Sequence, residues 1–264
     1  MARFLLAPLL VALSAGALAA QEASAPLAPS ETWDALAPEI LGDTVALPAG
    51  EELTLVAPTR AEDAATVPIH LVQPPGAPWI QNLTLVIDEN PSPVAAEITF
   101  GEAMMPLDLE LRVRVNQYSN VRAIARTEDG AALMSGSFVK ASGGCSAPAT
   151  SGDALAGLGE MRLREFGATE DGRLEAQVMI RHPQFSGLQR DQLTQLWIPA
   201  HFIDRLEVRQ GDELLFTLTG GISISENPVF RFRYLDNGAP GFRVRVVDTE
   251  GKVFEQTLPK TPPA

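Results

Sequence analysis

Along two stretches of this chain, short apolar or alternating segments are cut off from one another by turn residues, and few architectures accept that pattern. In the first stretch the segments are 53–56, 66–71, 83–88, 95–100, 107–115, 120–126 and 132–139. In the second they are 161–165, 174–182, 202–209, 213–218, 229–234, 241–247 and 252–257. Breakers such as Asp88-Glu89-Asn90-Pro91, Gln210-Gly211-Asp212, Asp236-Asn237-Gly238 and Thr249-Glu250-Gly251 lie between them. Segments of this length with period-two alternation are strands, and strands returning every 8–12 residues or so make a sandwich. The fold class expected is therefore all-β, as two immunoglobulin-like β-sandwich domains.

The flanks carry other signals. Residues 1–20 hold one early cation, Arg3, an apolar run from Phe4 to Leu13 and a small-residue end at Ala17-Leu18-Ala19. These are the marks of a secretory signal peptide, with an apolar core too short to span a bilayer. Residues 21–30, rich in Ala, Pro and Ser, are expected to be a disordered leader. Trp33, Leu36, Ile40 and Leu41 fall near helical spacing, so a short amphipathic helix is expected over Glu31–Gly42, packed on the first domain. Residues 148–159 lack periodicity and are rich in Ala, Gly, Ser and Thr, which places a flexible linker there, with a tail at 259–264. The resulting domains are 31–147 and 160–258, a division consistent with the length of 264 residues.

The net charge of −13, or −14 without Arg3, argues against nucleic acid or an anionic membrane as partner. An exported chain with a single cysteine has no internal disulfide, so its stability must come from packing. That cysteine, Cys145, follows Gly143-Gly144 and precedes Ser146-Ala147-Pro148. A segment with so little side-chain bulk is expected to be exposed and mobile, and a solvated thiol near a cation such as Lys140 could react where a buried one is inert. A surface cysteine without a role and an intermolecular disulfide remain open at this level.

No other constellation carries chemistry. His70, His182 and His201 show no metal-ligand spacing with one another or with Cys145, so no metal, cofactor or catalytic residue is expected. There is no P-loop, G-x-S-x-G elbow or dinucleotide fingerprint. Arginines recur two apart at Arg112/Arg114, Arg231/Arg233 and Arg243/Arg245, which reads as a solvated sheet face in each strand, with attraction of an anion or acidic partner as the functional alternative.

The residues resemble a known pair of proteins. Pro58-Thr59-Arg60-Ala61-Glu62-Asp63, Val67-Pro68, Asp88-Glu89-Asn90-Pro91-Ser92-Pro93 and Val139-Lys140-Ala141-Ser142-Gly143-Gly144-Cys145 are similar to SoxY. Arg181-His182-Pro183, Gly187, Arg190-Asp191, Ile198-Pro199, Phe202-Ile203, Phe216, Ile222-Ser223, Glu226-Asn227-Pro228, Asp248 and Gly251 are similar to SoxZ of the bacterial thiosulfate-oxidation system. Both in one chain resemble the fused SoxYZ-type carriers, in particular the branch associated with quinoprotein dehydrogenases. The resemblance implies a periplasmic carrier, not itself an enzyme, with Cys145 as covalent attachment point for a sulfur-containing group and Gly143 and Gly144 as hinge. It implies partners among periplasmic sulfur-oxidation enzymes, or a quinoprotein dehydrogenase and its cytochrome, and a SoxY-like half packed on a SoxZ-like half. The alternative is a non-covalent accessory module for a quinoprotein alcohol dehydrogenase system. In the family the Gly-Gly-Cys arm ends the protein, whereas here the chain continues, so the thiol sits on a loop tethered at both ends.

Overall fold

A computed structural model describes residues 25–148 and 155–260. The expected signal peptide, the first part of the leader, residues 149–154 of the expected linker and most of the tail lie outside them. An α-helix, α1 (Glu31–Leu41), is followed by β1 (Ala46–Pro48), β2 (Thr54–Val56), β3 (Val67–Val72), β4 (Ile80–Ile87), β5 (Val94–Phe100), a 3-10 turn at Glu102–Met104, β6 (Asp108–Val113), β7 (Ser119–Thr127) and β8 (Ala132–Val139). The second half contributes β9 (Met161–Ala168), β10 (Leu174–Ile180), β11 (Ile203–Gln210), β12 (Glu213–Gly220), β13 (Val229–Tyr234), β14 (Gly241–Asp248) and β15 (Val253–Pro259). Each segment expected to be a strand is one. The addition is β1, three residues paired in parallel with β8 and too short to show a period.

Each half is a two-sheet sandwich, and the sheets continue from one half into the other. One sheet runs β1-β8-β7-β4-β5-β12-β11-β14-β15 and the other β2-β3-β6-β13-β10-β9. The halves meet where β5 pairs antiparallel with β12, Thr99 opposite Thr217, and where β6 pairs with β13, Leu109 opposite Phe232. An edge strand left open offers unpaired backbone groups to any other chain, and here each half covers the edges of the other. Side chains alternate accordingly: Val67, Ile69 and Leu71 of β3 and Phe242, Val244 and Val246 of β14 point into a core that runs through both halves. Phe216, Phe230, Phe232, Tyr234 and Phe242 form a chain of ring contacts with centroids 5.2 to 6.1 Å apart.

The helix begins where the Ser30 hydroxyl accepts from the Trp33 amide at 3.0 Å, and it lies on the first half as expected. Arg122 stacks over the Trp33 ring at 4.5 Å and Arg126 donates to the carbonyls of Ile40 and Leu41. Residues 25–30, expected to be disordered, are instead bound along β7 and β8. Asn120 takes both the N–H and the C=O of Ala28 with its side-chain amide, at 2.8 and 2.9 Å, and the Phe138 amide donates to Ala25. Their composition is that of a loose chain, but a partner side chain 92 residues away satisfies their backbone.

Candidate functional site

Cys145 lies at the seam between the halves. The chain leaves β8 at Val139 and turns at Gly143, whose φ of +80° suits a residue without Cβ. It then passes so close to the first half that a Cβ on Gly144 would stand 2.1 Å from the Ala64 carbonyl oxygen and 2.7 Å from that of Val115. The Gly143 amide donates to Asn116 and the Gly144 amide to Val115, at 2.8 and 3.1 Å. From the other half, Ser186 Oγ donates to the Cys145 carbonyl and Gln189 Nε2 to that of Ala147 at 2.7 Å. Arg114 Nη1 donates to the Gly144 carbonyl at 3.1 Å.

The expectation of an exposed, mobile thiol is therefore not met: Cys145 is free but 0% exposed. Small residues permit exposure, but they equally permit close packing, provided every backbone polar group finds a partner. The partners here come from residues 30 positions before the glycines and about 40 after the thiol. Burial pushes the Cys145 thiol up to about 11, and Arg114, rather than Lys140, is the cation that pulls it partway back. At neutral pH the sulfur is a protonated, poor nucleophile in this conformation.

Residues 37–145 match the family described as "Sulfur oxidation protein SoxY", and residues 161–259 the family described as "Sulphur oxidation protein SoxZ". The chain is a fused SoxYZ-type protein. The SoxY match ends on Cys145 itself. No curated protein sequence matches the chain. Among solved structures, the sulfur carrier protein SoxY from Chlorobium limicola f thiosulfatophilum is similar, with 22% identity and a TM-score of 0.35, covering 41% of this chain and 94% of that one.

Two features of this SoxYZ-type chain escape a linear reading. The first is Arg114. Alternation pairs it with Arg112 on a solvated face, and Arg112 is exposed, but Arg114 lies one residue past the end of β6, under the SoxZ-type half, and is 1% exposed. Its backbone amide donates to Ser223 and its Nη2 to the Gln184 carbonyl at 3.4 Å.

The second is a buried cluster. His182, His201 and Asp248, from three separate loops and strand ends of the SoxZ-type half, bring ligand-type atoms within 4.8 Å of one another. His201 Nε2 meets Asp248 Oδ2 at 2.8 Å, and His182 Nε2 lies 3.7 Å from the same oxygen. Burial pushes Asp248 up, but hydrogen bonds from His201 and from the Lys252 and Glu250 amides outweigh it and hold the carboxyl low. Burial drives His182 down to about 4, with His201 adding to the effect. The Gln184 amide donates to His182 Nδ1 at 3.2 Å, so in the neutral ring the hydrogen sits on Nε2, which leaves no lone pair there for a metal. The cluster ties the 182–201 loop to the end of β14, and that loop covers Cys145. A hollow of about 780 Å³ lined by Leu174, Glu175, Asp236, Pro240 and Lys260 lies elsewhere in the SoxZ-type half, and none of these residues hydrogen-bonds to the Cys145 segment.

Proposed function

We propose that this chain is a periplasmic sulfur carrier that holds a sulfur-containing group covalently on Cys145 and presents it to partner enzymes, without catalysing a reaction itself. The observation that carries the reading is the SoxY match, which runs to the single cysteine and is followed by the SoxZ match in the same chain. A covalent carrier needs a nucleophile and a way to present it, and needs no catalytic pocket of its own. Here the nucleophile is stored. Arg114, Ser186, Gln189 and two glycine amides hold the segment closed. Releasing these bonds costs on the order of 5 kcal/mol at about 1 kcal/mol each. A partner that docks at the seam supplies that free energy, and Gly143 and Gly144 then act as the hinge on which the opened loop turns. The partners are sulfur-oxidation enzymes or a quinoprotein dehydrogenase with its cytochrome.

The burial of Cys145 favours a second reading, in which the thiol is a core residue and the chain is a non-covalent accessory module of a periplasmic quinoprotein dehydrogenase system. One substitution separates the two. Cys145→Ser in the source cells abolishes function under the carrier reading while the protein still folds. Under the module reading the variant supports growth and retains its partner in a pull-down.

A further inference from the structure

Arg114 heads the fully buried side chains when these are ranked by volume. A guanidinium keeps its proton at any physiological pH, and moving a charge into a protein interior is costly unless an opposite charge meets it. The other buried arginines make more contacts, although Arg173 Nε is also without a partner. Arg122 is met by the Asp88 carboxylate at 2.8 and 2.9 Å, and Arg173 is held by the carbonyls of Met104, Pro106 and Arg233. Arg114 has two carbonyls, one of them at 3.4 Å, and touches no carboxylate among the described residues, although Glu226 and Asp63 attract it through space.

The groups left over around it are of one kind. Arg114 Nε is buried without a partner, and so is Gln184 Nε2. The Gln184 orientation is fixed because its Oε1 accepts from the Ile203 amide at 2.6 Å. Both orphans are N–H donors, they belong to residues hydrogen-bonded to each other, and Arg114 also grips the peptide that carries Cys145. Buried donors without acceptors, beside a positive charge that Glu226 and Asp63 answer only through space, call for an anionic acceptor in contact.

We infer that Arg114 and Gln184 form an anion-binding site for the group carried on Cys145, so that the closed seam accepts a sulfur adduct bearing an oxyanion and discriminates against a neutral one. This rests on Cys145 being the attachment point. With the bare, protonated thiol Arg114 Nε and Gln184 Nε2 stay unpaired and no negative charge touches the guanidinium, whereas an anionic adduct supplies both the missing acceptors and a charge in contact. Loading with an anion thereby favours closure, and removal of the charged end favours release.

Two alkylated forms differing by one charge provide the test. The protein is treated in mild denaturant with iodoacetate or with iodoacetamide, then refolded. In each case the thiolate sulfur displaces iodide from carbon, a C–S bond replaces the C–I bond, and the thiol proton passes to the buffer. The products, carboxymethyl and carbamidomethyl Cys145, are nearly the same size, and intact mass confirms full occupancy. At pH 7 the carboxymethyl form is expected to melt higher by about 2 °C or more. The difference persists in Arg114→Lys and vanishes or reverses in Arg114→Gln. A carboxymethyl form that melts no higher than the carbamidomethyl form in the wild-type protein overturns the inference, and that comparison stands even if Arg114→Gln fails to fold. A difference that survives in a folded Arg114→Gln overturns it as well. Absence of adducts on Cys145 in cells would remove the carrier reading and leave this comparison unaffected.

Discussion

The Ser186 hydroxyl, in the SoxZ-type half, donates to the carbonyl of Cys145, at the end of the SoxY-type half. The residue that closes over the thiol therefore belongs to the other half of the chain, and fusion keeps the two at high effective concentration. Closure is a property of the seam. Removing one clasp should loosen it by about 1 kcal/mol, which is roughly a fivefold rise in the open population. Ser186→Ala and Gln189→Ala are each expected to speed alkylation of Cys145 by iodoacetamide about fivefold, with little change in melting temperature. Rates equal to wild type would show that neither bond restrains the segment.

The thiol makes stability depend on alkaline pH. Its folded value of about 11 lies above the value near 9 expected when the chain is unfolded, so between these the unfolded state loses the proton and the folded state keeps it. The contribution is complete below pH 9 and is lost as pH rises toward 11. Relative to Cys145→Ala, the wild-type protein should lose about 2–3 kcal/mol across that window, measured from urea midpoints at each pH. Parallel curves for the two proteins would mean that the thiol is not buried in solution.

Gly144 is needed for close approach, because backbone oxygens of Ala64 and Val115 occupy the space of a side chain. Gly144→Ala should expel the segment rather than unfold the sandwiches, raising the alkylation rate of Cys145 at least tenfold while the strand signal in circular dichroism is kept. Gly143→Ala, with φ at +80° but nothing closer than 3.9 Å, should have the smaller effect, of about 1–2 kcal/mol.

His182 acts at the acid end. Its folded value of about 4 lies below the 6.5 of an exposed ring, so its stabilising contribution is complete above pH 6.5 and is lost as pH falls through 4. His182→Gln retains an acceptor for the Gln184 amide and should flatten the acid limb of the stability curve by about 3 kcal/mol. An unchanged acid limb would show that His182 is accessible to protons in the folded state.

The fold was legible because strand alternation and turn residues are local signals, and residues such as Val67, Ile69 and Leu71 state their facing in the sequence itself. The family resemblance likewise drew attention to Cys145. What could not be read is which surfaces cover which. Arg114 obeys the same alternation as Arg112 and differs only because the second half lies over it. Ser186, Gln184 and Gln189 carry no sequence signal that directs them to a thiol about 40 positions earlier. His182, His201 and Asp248 are spaced too widely for any ligand pattern and meet only through β-sheet topology. Ser142, Ser146 and Pro148 are exposed as their small bulk suggests, but Cys145 is not, because partners distant in sequence satisfy the backbone on either side of it.

The most direct measurement is the intact mass of this protein purified without reductant from its own cells grown on a reduced sulfur compound. A covalent carrier should show a population carrying extra sulfur-containing mass that is removed by dithiothreitol, maps to the peptide containing Cys145, and is absent from Cys145→Ser. A single unmodified mass under those conditions, in cells whose growth depends on the protein, would contradict it.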